Sequence, residues 1–159
     1  MLLGWMGLVW AGSSFTMDDF PQGSFCFGSR DYKAPKVLEL PVKGQMGEVL
    51  LVDWVVVGEE ESTGAQAYNM TIRFADGKEV QLRGQSGLQL SSHPVSTRDS
   101  FPIQVGSHRG SRQMIPLGRP ETAIESVTVT TRLLNQTLCV AGARASSFLE
   151  WSADHTDTT

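Results

Sequence analysis

Charge is scarce in this chain: Asp, Glu, Lys and Arg make up 19% of its 159 residues, and the formal net charge is −4. That balance, with a pI near 5.3, argues against nucleic acid as a partner, because a phosphate backbone calls for a basic stripe or patch. Histidine occurs only at His93, His108 and His155, without His-x-x-x-His spacing, and neither Cys26 nor Cys139 belongs to a Cys-x-x-Cys pair. No metal site is expected from such a set. No Gly-x-x-x-x-Gly-Lys-Ser/Thr loop is present, nor a Gly-x-Gly-x-x-Gly after a strand-like run, so no cofactor is implied. No apolar stretch reaches the roughly 20 residues of a membrane span. Internal repeats, heptads and amphipathic helices of two or more turns are also missing.

Strand patterning is what remains, and it is abundant. Val49-Leu50-Leu51-Val52-Asp53-Trp54-Val55-Val56-Val57 is apolar on both faces, as a strand between two layers must be. Tyr68-Asn69-Met70-Thr71-Ile72-Arg73-Phe74 alternates with period two, as a strand with one wet face does. Asp76-Gly77 offers the positive φ angles of a tight hairpin, after which Val80 and Leu82 resume the alternation. Further short strands are expected at Ser24–Gly28, Lys36–Val42, Phe101–Val105, Gln113–Leu117, Ile124–Leu133 and Thr137–Gly142, with Leu88-Gln89-Leu90 also strand-like. The prediction is a single all-β domain over residues 24–144, an antiparallel β-sandwich of jelly-roll or Ig-like type with about 8–10 short strands. A chain of this size buries one core without cross-links.

The two ends differ from this body. Residues 1–16 are apolar and uncharged, with small residues from Ala11 to Ser14, and have the length of a signal-peptide core, although no Lys or Arg precedes them. An extra apolar strand or docked terminal segment is the structural alternative. Export agrees with a bridge between Cys26 and Cys139, since disulfides persist outside the cytosol; two buried thiols are the alternative. The expected location is extracytoplasmic, periplasmic or secreted. Residues 145–159 are expected to form a tail, apolar at Phe148, Leu149 and Trp151 and disordered at its end.

Candidate chemistry concentrates in residues 84–112, which are rich in Gly, Ser, Gln, His, Pro and Arg and are expected to be loop. Ser107-His108-Arg109-Gly110-Ser111-Arg112 is the densest polar constellation. Guanidiniums beside Gly and Ser backbone donors hold carboxylate, sulfate or phosphate bidentately, which marks His108, Arg109, Ser111 and Arg112 as candidate ligand-binding residues. A solvated turn is the plainer account. Gly84-Gln85-Ser86-Gly87 lacks the spacing of a nucleophile elbow. Cys26 lies between two phenylalanines, where burial keeps a thiol protonated, so no catalytic residue is assigned. Asp53, on an otherwise apolar strand, must either face an edge or find a donor such as Arg73 or Arg83; a structural ion pair is the plainer account, and a general acid raised in pKa by burial the alternative. The run Glu59-Glu60-Glu61 is expected to be a solvated loop. Asn69-Met70-Thr71 and Asn135-Gln136-Thr137 are N-glycosylation sequons.

Three pieces, Phe27-Gly28-Ser29-Arg30, the segment Gly110–Leu117, and the closing pair Ile124–Thr130 with Leu138–Gly142, occur in an order that resembles small exported bacterial β-sandwich proteins of no established activity. The resemblance implies fold and compartment and carries over no functional residue. The functional expectation is a non-catalytic extracytoplasmic binding or interaction module, its partner a protein or a carbohydrate or anionic ligand. The alternatives are a hydrolase or carbohydrate-active enzyme with a dispersed site, and a structural envelope subunit associating through sheet edges.

Overall fold

The computed structural model describes residues 25–28, 37–58, 66–85, 97–131 and 136–158. Among these residues nine strands run in the order β1 (Phe25–Gly28), β2 (Val37–Glu39), β3 (Val49–Gly58), β4 (Gln66–Phe74), β5 (Glu79–Gln85), β6 (Ser100–Val105), β7 (His108–Pro116), β8 (Ile124–Thr131) and β9 (Gln136–Ser146), followed by helix α1 (Phe148–Thr158). They form two sheets, β1-β9-β3-β7-β6 and β2-β8-β4-β5. Every pairing is antiparallel. This is the all-β two-sheet sandwich expected from the patterning.

The two-sided apolar strand β3 sits in the middle of the five-stranded sheet, flanked by β7 and β9. Its even-numbered side chains, Leu50, Val52, Trp54 and Val56, face the second sheet and join Tyr68, Met70, Ile72 and Phe74 of β4 in the main core. Its odd-numbered side chains face the other way. There Val49 and Leu51 pack with Phe101, Met114 and Trp151, while Val55 packs with Val105 and the two cysteines. Both faces of β3 are buried because the sandwich covers one and α1, through Trp151, covers part of the other.

Several elements depart from expectation. His108–Pro116 is one continuous strand, where residues up to 112 were expected to be loop. Period-two alternation survives there, but Arg109, Gly110 and Ser111 conceal it. Gly110 is required: a Cβ at that position would lie 2.4 Å from the carbonyl oxygen of Trp54. The last strand extends to Ser146 instead of stopping at Gly142, and Phe148–Thr158 is helical where no helix was expected. A bulge in β9 between the partners of Asp53 and Trp54 puts Gly142 opposite Asp53 and Val140 opposite Trp54. The hairpin turn differs in detail, since Gly77 alone has positive φ, at 87°. Phe74 N donates to Lys78 O, closing a three-residue loop. β2 is shorter than expected: Pro41 has no amide hydrogen to donate, and Leu40 and Val42 bury their side chains beyond the strand's end.

Cys26 and Cys139 are bridged, directly opposite each other on β1 and β9 with Cα atoms 4.0 Å apart. Among the described residues no helix is long and apolar enough to cross a membrane. The expected leader at 1–16, the acidic run at Glu59, the strand-like Leu88-Gln89-Leu90, His93 and the sequon at Asn135 lie outside the described residues.

Candidate functional site

Strand geometry disperses the constellation at 107–112. Side chains alternate between faces along β7. His108 and Arg112 therefore share the outer face of the five-stranded sheet, while Arg109 and Ser111 share its inner side. The four candidate ligand-binding residues do not converge. Arg112 is already engaged: its Nε donates to Asp53 Oδ1 at 2.7 Å and its Nη2 to Asp53 Oδ2 at 3.0 Å. The partner of Asp53 is thus Arg112, one strand over in direct register, and not Arg73 or Arg83.

This fork-to-fork pair lies on the face that α1 covers. Trp151 stacks on Phe101 with ring centroids 5.1 Å apart, Asp154 approaches Arg112 at 3.9 Å, and Arg144 donates to Glu150. The bond to Asp53, opposed by burial, raises the Arg112 pKa above its ordinary value, so its charge is permanent. The arrangement ties the helix to the sheet. It leaves neither carboxylate nor guanidinium disengaged for a ligand.

Inside the sandwich a second polar node joins three strands. Trp54 Nε1 and Tyr68 Oη both donate to Gln113 Oε1, at 2.9 and 2.8 Å. Burial raises the Tyr68 pKa well above its usual value, against the smaller opposing effect of the bond to Gln113, so the phenol stays protonated. All three side chains are closed off from solvent, which makes Trp54 a core residue and the node structural.

An accessible depression of about 540 Å³ lies on the solvent face of the four-stranded sheet, lined by Asn69, Met70, Thr71, Gln81, Leu82, Arg83 and Thr130. Register explains it. Asn69 of β4 stands between Arg83 of β5 and Thr130 of β8, and Thr71 stands opposite Gln81. The odd-numbered positions of β4 and β5 that must face water form polar cross-strand rows. One row lower, Arg73 is bonded to Glu79. Arg83 is exposed and forms no hydrogen bond or ion pair among the described residues. Arg83 and Gln81 were missed as site residues because their signal, polar positions on the wet side of a hairpin, is common to every surface strand.

A smaller cavity of about 220 Å³ opens between the sheets, lined by Leu38, Leu40, Pro41, Val140 and Ala143 with Glu39 and Gly142. Among the described residues no group of three or more His, Cys, Asp or Glu side chains is placed to hold a metal ion. No protein-family model matches the chain, and neither does any curated protein or solved structure.

Proposed function

We propose that this protein is a non-catalytic binding module of an oxidising, extracytoplasmic compartment, and that it holds an acidic, hydroxyl-rich ligand on the solvent face of the four-stranded sheet. A carboxylate-bearing oligosaccharide has the matching chemistry. The observation that carries the proposal is Arg83: a guanidinium with no partner among the described residues, at the wall of a polar depression in a chain of net charge −4. A carboxylate meets two parallel donors there. Asn69, Thr71, Gln81 and Thr130 supply donors and acceptors for hydroxyls nearby.

The non-catalytic part of the proposal rests on what lines the depression. Arg83 is its one ionisable side chain among the described lining residues. General acid–base or nucleophilic chemistry needs a carboxylate, imidazole or thiol in reach of the ligand. The extracytoplasmic part rests on the Cys26–Cys139 bridge, which a reducing cytosol does not sustain.

Titration of 15N-labelled protein with a uronic-acid tetrasaccharide, and with the same tetrasaccharide reduced to its neutral form, tests this. The acidic sugar is expected to shift the amides of residues 69–71, 81–83 and 130, and Arg83→Ala to weaken it by about tenfold. Equal responses to the acidic and neutral sugars, or none at about 10 mM ligand, a concentration at which even weak sites fill, overturn the proposal.

A further inference from the structure

We propose that the free edge of β5 accepts one extended peptide strand, antiparallel to it, of the pattern acid–apolar–x–apolar–base. This goes beyond the sugar-binding proposal, because the backbone edge of the sheet carries it, with Arg83 the one side chain of the depression that both use.

Three observations lead to it. First, β5 ends its sheet, and among the described residues nothing pairs with its far side. Phe74 N bonds to Lys78 O, so the Lys78 carbonyl points at β4. Alternation then turns the peptide groups of Val80 and Leu82 toward β4, and those of Glu79, Gln81 and Arg83 outward. Register with β4 is unbroken from Glu79 to Gly84, and the strand contains no proline. An edge of this kind is a template for strand addition.

Second, the charges along this edge are incomplete. Both Nε and Nη2 of Arg73 donate to Oε2 of Glu79, which leaves Oε1 open to another donor. Arg83, two positions beyond Gln81 on the same face, has no acid at all among the described residues. An antiparallel strand places its first residue opposite Arg83 and its fifth opposite Glu79. An acid at the first position and a base at the fifth complete both.

Third, the two sheets are unequal. The Trp54–Tyr68 stack, with centroids 5.2 Å apart, sets β3 against β4, and the bond from Tyr68 to Gln113 reaches on to β7. The five-stranded sheet then continues to β6, for which the four-stranded sheet has no counterpart among the described residues. A strand added to β5 lies over β6, with its apolar side chains beside the half-buried Val80 and Leu82. The overhang also selects the partner. Twofold pairing of β5 with a second copy puts both five-stranded sheets on one side, where the two β6 strands collide. A single segment meets no such obstacle among the described residues.

A fluorescein-labelled, end-blocked peptide Ser-Thr-Glu-Val-Gln-Leu-Arg-Thr-Ser, followed by anisotropy, is the probe. Saturable binding is expected. Gln81→Pro removes an outward amide that bonds nothing within the sheet, so it should weaken the peptide at least tenfold with the thermal midpoint retained, whereas Gln81→Ala should change affinity less than about threefold. Methylating the amide nitrogen of the peptide's central residue should abolish binding to the unaltered protein, a readout independent of the proline variant's folding. Arg83→Glu should lose about tenfold and regain it with a peptide whose acid is replaced by Lys. Absence of saturable binding by the unaltered protein, or equal binding by the N-methylated peptide, overturns the proposal. Neither outcome bears on the uronate titration.

Discussion

Trp54 and Tyr68 converge on a single acceptor. The indole N–H and the phenol O–H both reach Gln113 Oε1, at 2.9 and 2.8 Å, across the interior of the sandwich. Replacing Gln113 with Leu strands two buried donors, each costing about 1–3 kcal/mol. Urea denaturation should show a loss of about 3 kcal/mol, against about 1 kcal/mol for Tyr68→Phe, which removes a donor and leaves the acceptor in use. Equal losses in the two variants would refute the shared-acceptor account.

The same phenol makes stability fall in alkali. Burial raises the Tyr68 pKa in the folded state above its value of about 10 in the unfolded chain. Below pH 10 both states are protonated and Tyr68 contributes no pH dependence. Above it the unfolded state releases a proton that the folded state keeps, so stability declines by up to about 1.4 kcal/mol per pH unit. Comparison of the parent and Tyr68→Phe between pH 9 and 11.5 should show a shallower decline in the variant.

Breaking the Asp53–Arg112 fork should cost more than an exposed ion pair does. Both side chains are three-quarters or more covered, at 20% and 25% exposure. Asp53→Ala leaves a guanidinium beneath α1 with Asp154, 3.9 Å away, and the more distant Glu150 as the acids to compensate it among the described residues. A loss of about 2 kcal/mol is expected, and the double change Asp53→Leu with Arg112→Met should recover most of it. Thermal unfolding in 1 M salt separates this pair from exposed ones such as Lys43–Glu125, which salt screens.

Reduction should act locally on β1 and globally on stability. The bridge spans 113 residues, and chain entropy assigns such a loop a stabilisation of at most about 5 kcal/mol. The Cys26→Ser, Cys139→Ser double variant should unfold 2–5 kcal/mol more easily, by the usual range for native bridges. In hydrogen exchange its Phe25–Gly28 amides should lose protection before those of β3 and β4, because β1 is a four-residue edge strand and they are interior strands.

Gly84 faces Tyr68 across the β4–β5 ladder, and a Cβ on it would come within 1.9 Å of the ring. Tyr68 is fully buried and bonded through its hydroxyl, so the ring has nowhere to move. Gly84→Ala should therefore destabilise by about 2 kcal/mol, with near-ultraviolet dichroism reporting a displaced tyrosine.

An unbroken apolar run placed β3, and period-two alternation the β4–β5 hairpin and β8, from residue types alone, because each has a continuous apolar face and a turn residue beside it. β7 escaped because two of its inward or covered positions are Gly110 and Ser111, whose small size serves close packing that no local pattern announces. The helix escaped for a different reason. Only Trp151 of its first turns is buried, while Leu149 is 80% exposed, so its apolar stripe is a single residue wide.

Residue order by itself determined the class of fold, the central place of Val49–Val57 and the hairpin at Gly77, since each follows from side-chain period and backbone freedom within a few residues. It also marked Cys26 and Cys139 as a possible pair. Tertiary structure alone decided that Asp53 meets Arg112, that Arg109 and Arg112 part to opposite faces, and that Arg83 and the outer edge of β5 have no partner among the described residues. Those outcomes depend on which strands become neighbours and in what register, and a shift of one residue in register exchanges every inward side chain for an outward one.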